Sequence, residues 1–343
     1  MSEAITFEQT GEGLGLLRGP QGQPLADYSW STAANHPYFD QLRPLAHRGV
    51  LTTHAPHDHR WHHGLWWSWK FIDDILFWED HPDYGGNRAG LGRSIVEEHR
   101  IEATADGMRI HELLSWRVDA TGQVLLSEQR TVTATLSTGV AGGWALDWDQ
   151  TWTASKDVRL SVTPWPQTTW GGYAGLNYRA ARAMVAGESI VGAGGRLGRD
   201  AVHGQRAAWA AYGGSVDGAG TDEPNEPAGA GVALLQHPDD AGYPSPFYVF
   251  SAAEDFGFLA TAPLMHQDRD LGAGQRVRLR TRALVLGHPG EVADLERAHS
   301  TYARFAPTGS DTSTAAEEKG EGRAEEAAGV TVPASSTAPA PTA

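Results

Sequence analysis

Between Val124 and Leu136 the apolar residues Val124, Leu126, Val132, Ala134 and Leu136 share one parity. Ser127, Gln129, Thr131, Thr133 and Thr135 take the other. A period of two is that of a strand with one buried face. The alternation recurs where Trp144, Leu146, Trp148, Gln150 and Trp152 interleave with Ala145, Asp147, Asp149, Thr151 and Thr153. It recurs again where Val277, Leu279, Thr281, Ala283 and Val285 interleave with Arg276, Arg278, Arg280 and Arg282. The arginines predict a solvated ridge along one sheet face. Shorter candidate strands lie at 93–101, 108–118, 157–163, 206–212, 231–236 and 247–251, and the persuasive helix is at 291–305. Many strands at short spacing with almost no helix predict an all-β fold. The expected form is a large antiparallel two-sheet sandwich with a short C-terminal helix.

Residues 1–306 read as a single domain. From 307 to 343 the chain is mostly Ala, Glu, Thr, Ser, Gly and Pro, with Val330 and Val332 the only large apolar residues. Such a segment cannot bury enough surface to offset its ordering entropy, so a disordered low-complexity tail is expected. The glycine-rich patch 213–231 reads as a long surface loop within the domain.

The formal charge of −15 opposes nucleic-acid binding, since an acidic surface repels phosphate backbones. The absence of cysteine excludes disulfides, thiolate metal sites and cysteine nucleophiles. No apolar run reaches the roughly 18–20 residues of a spanning helix, so no membrane partner is expected. The opening Met1-Ser2-Glu3-Ala4-Ile5 has neither a basic nor an apolar stretch. The simplest expectation is a cytoplasmic protein.

Candidate chemistry concentrates in one stretch. His36, His47, His54, His57, His59, His62, His63 and His81 lie close together with Trp61, Trp66, Trp67, Trp69 and Trp78. Histidine can serve as base, acid or metal ligand. A metal would need three ligands and an open position, so a divalent ion bound by these histidines stays open, and no cofactor is identified. The alternative is that the rings hydrogen-bond loop backbone and stack among tryptophans. Glu128 and Arg130 share the parity of Val124, Leu126 and Val132, so both project to the apolar side of their strand. Either they form a structural ion pair, or they line a cleft as a catalytic carboxylate and a substrate-binding guanidinium. Tryptophans suit sugars, whose C–H faces pack on indole rings, and Trp61 and Trp67 are the candidates. There is no phosphate-loop or nucleophile-elbow pattern, and the glycine-rich 192–198 reads as a turn.

Several blocks resemble the soluble PmoA-like family, a bacterial group often labelled "methane oxygenase PmoA". They are His36-Pro37-Tyr38-Phe39 with Leu42-Arg43-Pro44, then Asp58-His59-Arg60-Trp61-His62-His63-Gly64-Leu65 with Trp67 and Phe77-Trp78. Gly171-Gly172-Tyr173-Ala174-Gly175-Leu176 follows. Then come Gly231-Val232-Ala233, His237-Pro238, Tyr243-Pro244-Ser245-Pro246-Phe247-Tyr248 and Ala262-Pro263-Leu264. Order and spacing hold over about 10–305, and the second block is the most specific. A galactose-mutarotase-like super-sandwich is one architecture that would accommodate such a chain. The resemblance implies a sugar-associated protein and puts His59 and His62 forward as catalytic residues beside Glu128. His36, His54, Asp58, Trp61, Trp67, Arg130, Tyr173, His237 and His266 are the substrate-binding candidates. His59 and His62 are expected to converge with His36 or His54 in a pocket open to solvent. The expected activity is acid–base chemistry on a small carbohydrate or keto-glycoside, by hydrolysis, elimination or epimerisation. The alternatives are a non-catalytic carbohydrate-binding protein and the metal-dependent oxygenase of the family label. Oligomeric state is not legible.

Overall fold

Alternating strands settle into two large sheets in the computed structural model, which describes residues 4–81, 89–164, 170–217, 229–252 and 256–304. The front sheet has eight strands, in the order Thr6–Gly11, Leu14–Arg18, Pro24–Ser29, Tyr38–Asp40, Leu65–Ser68, Gly175–Arg179, Phe256–Thr261 and Phe247–Ala252. The back sheet has nine, in the order Arg196–Leu197, Ser189–Gly192, Trp209–Ser215, Gly229–Gln236, Arg276–Leu286, Trp144–Ala154, Val124–Thr135, Gly107–Val118 and Gly92–Ala103. A four-stranded sheet of Arg269–Leu271, Val158–Ser161, Phe71–Ile72 and Ile75–Leu76 lies beside them. Pairing within these sheets is antiparallel throughout. The fold is thus an all-β sandwich, closed by the helix Val292–Tyr302. One compact unit comprises Met1–Phe305. The expected tail at 307–343 lies outside the described residues.

The inward faces meet in a core dominated by indoles: Trp67, Trp69, Trp116, Trp144, Trp148 and Trp152 are all buried. Each indole removes roughly 150–250 Å² from water, an upper bound of about 4–6 kcal/mol of transfer free energy per ring. Within this core runs a polar row. Glu112, Arg130 and Gln150 are cross-strand partners on three adjacent strands of the back sheet.

Two expectations are corrected by the packing. The arginine ridge of Arg276–Leu286 is not wet along its length. Arg282 is fully buried against Asp147, at 2.6 and 2.8 Å, and Arg280 is buried against Asp240 at 2.7 Å. The closing helix supplies part of that cover, with Tyr302 beneath the Arg282 guanidinium. The glycine-rich patch is in part a hairpin, since Gly213 pairs with Gly231 and Ser215 with Gly229. Glycine is required there because a Cβ on Gly213 would stand 2.4 Å from the Pro289 carbonyl oxygen. Residues 218–228 of that patch lie outside the described residues.

Candidate functional site

The outer face of the front sheet, turned away from the core, carries a second aromatic cluster that includes Trp61, Trp66, Trp78, Phe256 and Phe258. Parity assigns it. Leu65 and Trp67 enter the core while Trp66 faces outward, and the neighbouring strand likewise sends Leu176 and Tyr178 inward. The loop preceding Leu65–Ser68 is pinned at its ends by the Ala55 N–H to the His62 carbonyl, 2.8 Å, and by a bridge between His54 and His63. Gly64 makes the turn into the strand at φ +78°, where a Cβ would meet the Phe39 carbonyl oxygen at 2.8 Å.

This loop fans its side chains in three directions. Asp58 and His59 stand at the solvent edge, with His59 27% exposed and its Nδ1 2.8 Å from an Asp58 carboxylate oxygen. That acceptor fixes Nδ1 as the protonated nitrogen and leaves Nε2 as the basic one. Burial alone would raise the Asp58 carboxyl. The His59 hydrogen bond and the Arg179 guanidinium, 3.8 Å away, override it and hold the group below its ordinary value. Arg179 itself is buried on the face of Phe256, 3.3 Å from the ring centre. Around His59 stand Phe256 at 4.9 Å, Trp61 at 5.2 Å and the half-exposed Trp170 at 6.3 Å between ring centres.

His62 turns inward, 4.9 Å from His59 and 5.1 Å from Trp66. Burial, reinforced by the Arg179 charge, holds it well below the ordinary imidazole value, so the ring is neutral at pH 7. His63 turns the other way, onto Tyr38 at 4.6 Å. Asn35 donates its amide to the Trp78 carbonyl, so its oxygen faces His63 Nε2 at 2.9 Å, and that nitrogen carries the proton. Four buried polar atoms on this face have no hydrogen-bond partner among the described residues: His62 Nδ1, His63 Nδ1, Trp66 Nε1 and Asn177 Oδ1. Each such atom costs about 1–3 kcal/mol, so four in one neighbourhood call for a polar ligand or ordered water. On the His63 side a cavity of about 420 Å³ is lined by Asn35, Tyr38, His54, Arg60, His63 and Glu79. Glu79 is held from behind by the buried Lys70, whose Nζ donates to both carboxylate oxygens and, at 2.7 Å, to the Tyr173 hydroxyl. Burial draws Lys70 down to about 8 against the pull of Glu79.

The family described as "Family of unknown function (DUF6807)" matches residues 19–301. The chain belongs to this family. No curated protein matches it. Among solved structures, the alpha-galactosidase from Lactobacillus brevis is 10% identical with a TM-score of 0.43, over 87% of this chain and 41% of that one. A galactose mutarotase related enzyme from Lactobacillus acidophilus is 7% identical with a TM-score of 0.35, over 84% of this chain and 98% of that one. The DUF6807 chain therefore spans about two fifths of the length of the galactosidase.

Of the residues singled out in the sequence, the fold brings together Asp58, His59, Trp61 and His62, with His54 and Tyr173 on the flank nearer the cavity. His36 does not join them. It is buried, its Nε2–H donating to the Phe77 carbonyl at 2.5 Å and its Nδ1 2.9 Å from Ser94 Oγ. Glu128 and Arg130 do not line a cleft, because their side chains are 0% exposed and the structural ion pair is the arrangement realised, at 2.7 Å. Trp67 packs 4.9 Å from Trp152 in the core. His237 is buried against Tyr302, and His266 lines a different cavity. Among the described residues no three His, Asp or Glu side chains are placed to hold a metal ion together, and no helix is long and apolar enough to cross a membrane. The sequence reading missed Lys70, Glu79, Trp170 and Arg179, and it raised His63 only as a member of the histidine block. His63 lay within the second block and was legible there, whereas the Lys70–Glu79 pair had only its buried setting, which no sequence pattern announces.

Proposed function

We propose that this DUF6807 chain is an enzyme that transfers protons on a small carbohydrate, with Asp58, His59 and His62 at its centre. The observation that carries the reading is the partly exposed His59, with one nitrogen fixed by Asp58 and the other without a hydrogen-bond partner among the described residues, set among Trp61, Phe256 and the exposed Trp170. A carboxylate that orients an imidazole leaves the opposite nitrogen ready to take a proton, which contributes about 10²–10⁴-fold in rate. The His59 hydrogen bond, with the Arg179 charge behind it, holds Asp58 below its ordinary value, so Asp58 can stabilise the imidazolium that forms. Trp170 and Phe250, 4.5 Å apart, give a sugar ring an apolar platform at the edge. The 420 Å³ cavity behind the same loop offers carboxylate, amide and imidazole partners to the remaining hydroxyls. Hydrolysis, elimination or epimerisation would each use such a base, and a keto-sugar, whose carbonyl acidifies the adjacent C–H, is the substrate most readily deprotonated. Kinship with the soluble PmoA-like proteins is part of the same proposal.

The test is turnover of a panel of glycosides and 3-keto-glycosides by the full chain and by His59→Ala. Turnover is expected in the parent, with kcat/KM at least about 10²-fold lower in the variant and stability changed by less than about 1–2 kcal/mol. Saturable sugar binding with no turnover would replace the enzyme with a carbohydrate-binding protein. A His59→Ala protein that is fully active, or simply unfolded, would remove His59 from the chemistry.

A further inference from the structure

A second cavity, of about 350 Å³, opens where the loop 237–246 meets the strands Arg269–Leu271 and Arg276–Leu286. It shares no lining residue with the cavity beside His63. Three arginines and three aspartates line it, yet their charges do not cancel within it. Asp240 is committed to Arg280, which reaches one oxygen with Nε at 2.7 Å and the other with its backbone N–H. Asp268 accepts from Arg159 at 2.7 and 3.1 Å, and Asp270 sits opposite Arg159 in the strand register. Arg159 is not part of the lining, so Asp268 is answered from outside the cavity.

Arg206 and Arg269 remain. Among the described residues their guanidiniums hydrogen-bond only to backbone carbonyls of one loop: Arg206 to Gly242 at 3.3 Å and Pro244 at 2.9 Å, Arg269 to Ala241 at 3.4 Å. Neither forms an ion pair among the described residues. Arg269 is half-buried, and that burial draws it below the usual guanidinium value with no carboxylate opposing. Both guanidiniums are tethered to the same loop, so their charges stand side by side in the cavity wall. Guanidinium forks match carboxylate and phosphate oxygens in geometry as well as charge. Ser245 and Thr281 add hydroxyls to the wall, and Trp67 and Leu279 an apolar floor.

We propose that this cavity is a second ligand site, which takes a small polar molecule through its carboxylate or phosphate group. The site does not depend on the chemistry at His59. Calorimetric titration of the full chain with inorganic phosphate, glucuronate, glucose 6-phosphate and uncharged glucose, at matched ionic strength, tests it. Saturable binding of at least one anion is expected, with none for glucose at this site. Phosphate and glucuronate distinguish the two sources of the oxyanion. The Arg206→Gln/Arg269→Gln double variant should weaken the anion at least tenfold, while His59→Ala leaves it unchanged. Arg206→Gln alone, at an exposed position, serves if the double variant does not fold, and should also weaken binding. Absence of saturable binding by all three anions overturns the proposal, as does unchanged affinity in a folded Arg206→Gln variant.

Discussion

Replacing Glu128 by Gln tests which role the inward-facing carboxylate plays. Glu128 accepts four hydrogen bonds: from Arg130 Nε at 2.7 Å, Arg130 Nη2 at 3.1 Å, Trp116 Nε1 at 2.8 Å and Gln150 Nε2 at 2.8 Å. An amide turns one oxygen into a donor facing donors and removes the nearest counter-charge of Arg130. The guanidinium would keep only Glu112, at 3.7 Å. Breaking one side of a buried pair costs about 3–5 kcal/mol. The cost should depend on pH. Burial raises Glu112 to about 7, with Arg130 lowering it and the Glu128 charge raising it further. A carboxyl raised in the fold favours folding while protonated, and that contribution fades as pH rises through about 7. Its full size is roughly 3 kcal/mol, at about 1.36 kcal/mol for each tenfold gain in proton affinity. Without the Glu128 charge, Glu112 ionises more readily and takes over part of the pairing with Arg130. The gap between parent and variant should therefore be largest near pH 5 and shrink toward pH 8, by less than that roughly 3 kcal/mol. Urea unfolding followed by tryptophan fluorescence at several pH values measures it, with the midpoint moving at constant slope. A gap below about 1 kcal/mol at pH 5, or one that widens with pH, would refute the reasoning.

His36 is held down to about 3 by burial, so the unfolded chain binds its proton first. Its contribution is complete above about pH 6.5 and is lost as pH falls toward 3, at about 1.4 kcal/mol per pH unit. The stability gap between parent and His36→Gln should accordingly narrow from pH 7 to pH 5, and a constant gap in urea unfolding would disprove the neutral, buried ring. Trp170→Ala removes a half-exposed indole that packs at a tilt on Phe250, 4.5 Å between ring centres. It should weaken sugar binding roughly 5–30-fold, about 1–2 kcal/mol, with stability within about 0.5 kcal/mol. Unchanged affinity by calorimetry would take the sugar away from this edge.

How much of the fold could be read in advance depended on which faces of each strand meet water. The long back-sheet strands alternate because one face is buried and the other partly wet, so Val124–Thr135 and Trp144–Ala154 stood out by parity. Leu65–Ser68, Gly175–Arg179 and Phe256–Thr261 are buried throughout. Strands covered on both faces show no alternation and read as short apolar runs. These are the strands that floor the candidate site. The parity of Glu128 and Arg130 correctly predicted their inward direction, but direction does not tell a cleft from a closed core. That depended on Trp116 and Gln150 satisfying Glu128 from neighbouring strands, and on Tyr28 of the facing sheet holding Glu112 beside Arg130.

The histidine block shows the same division between location and role. His59, His62 and His63 are chemically identical in the sequence, and their clustering with tryptophan marked the region. What separates them is the geometry of one loop and one strand start. His62 and His63 are adjacent, so entry into an extended backbone sends their rings to opposite sides. One lies on Trp66 and the other on Tyr38 beside the cavity. His59 stays in the loop, where a neighbouring carboxylate can orient it without burying it. Gly64 is what allows both arrangements, because only a residue without Cβ fits against Phe39 and Asp40 as the loop becomes a strand. A larger residue there would displace His62 and His63 together. The block is therefore better understood as one device that positions three rings than as three interchangeable ligands.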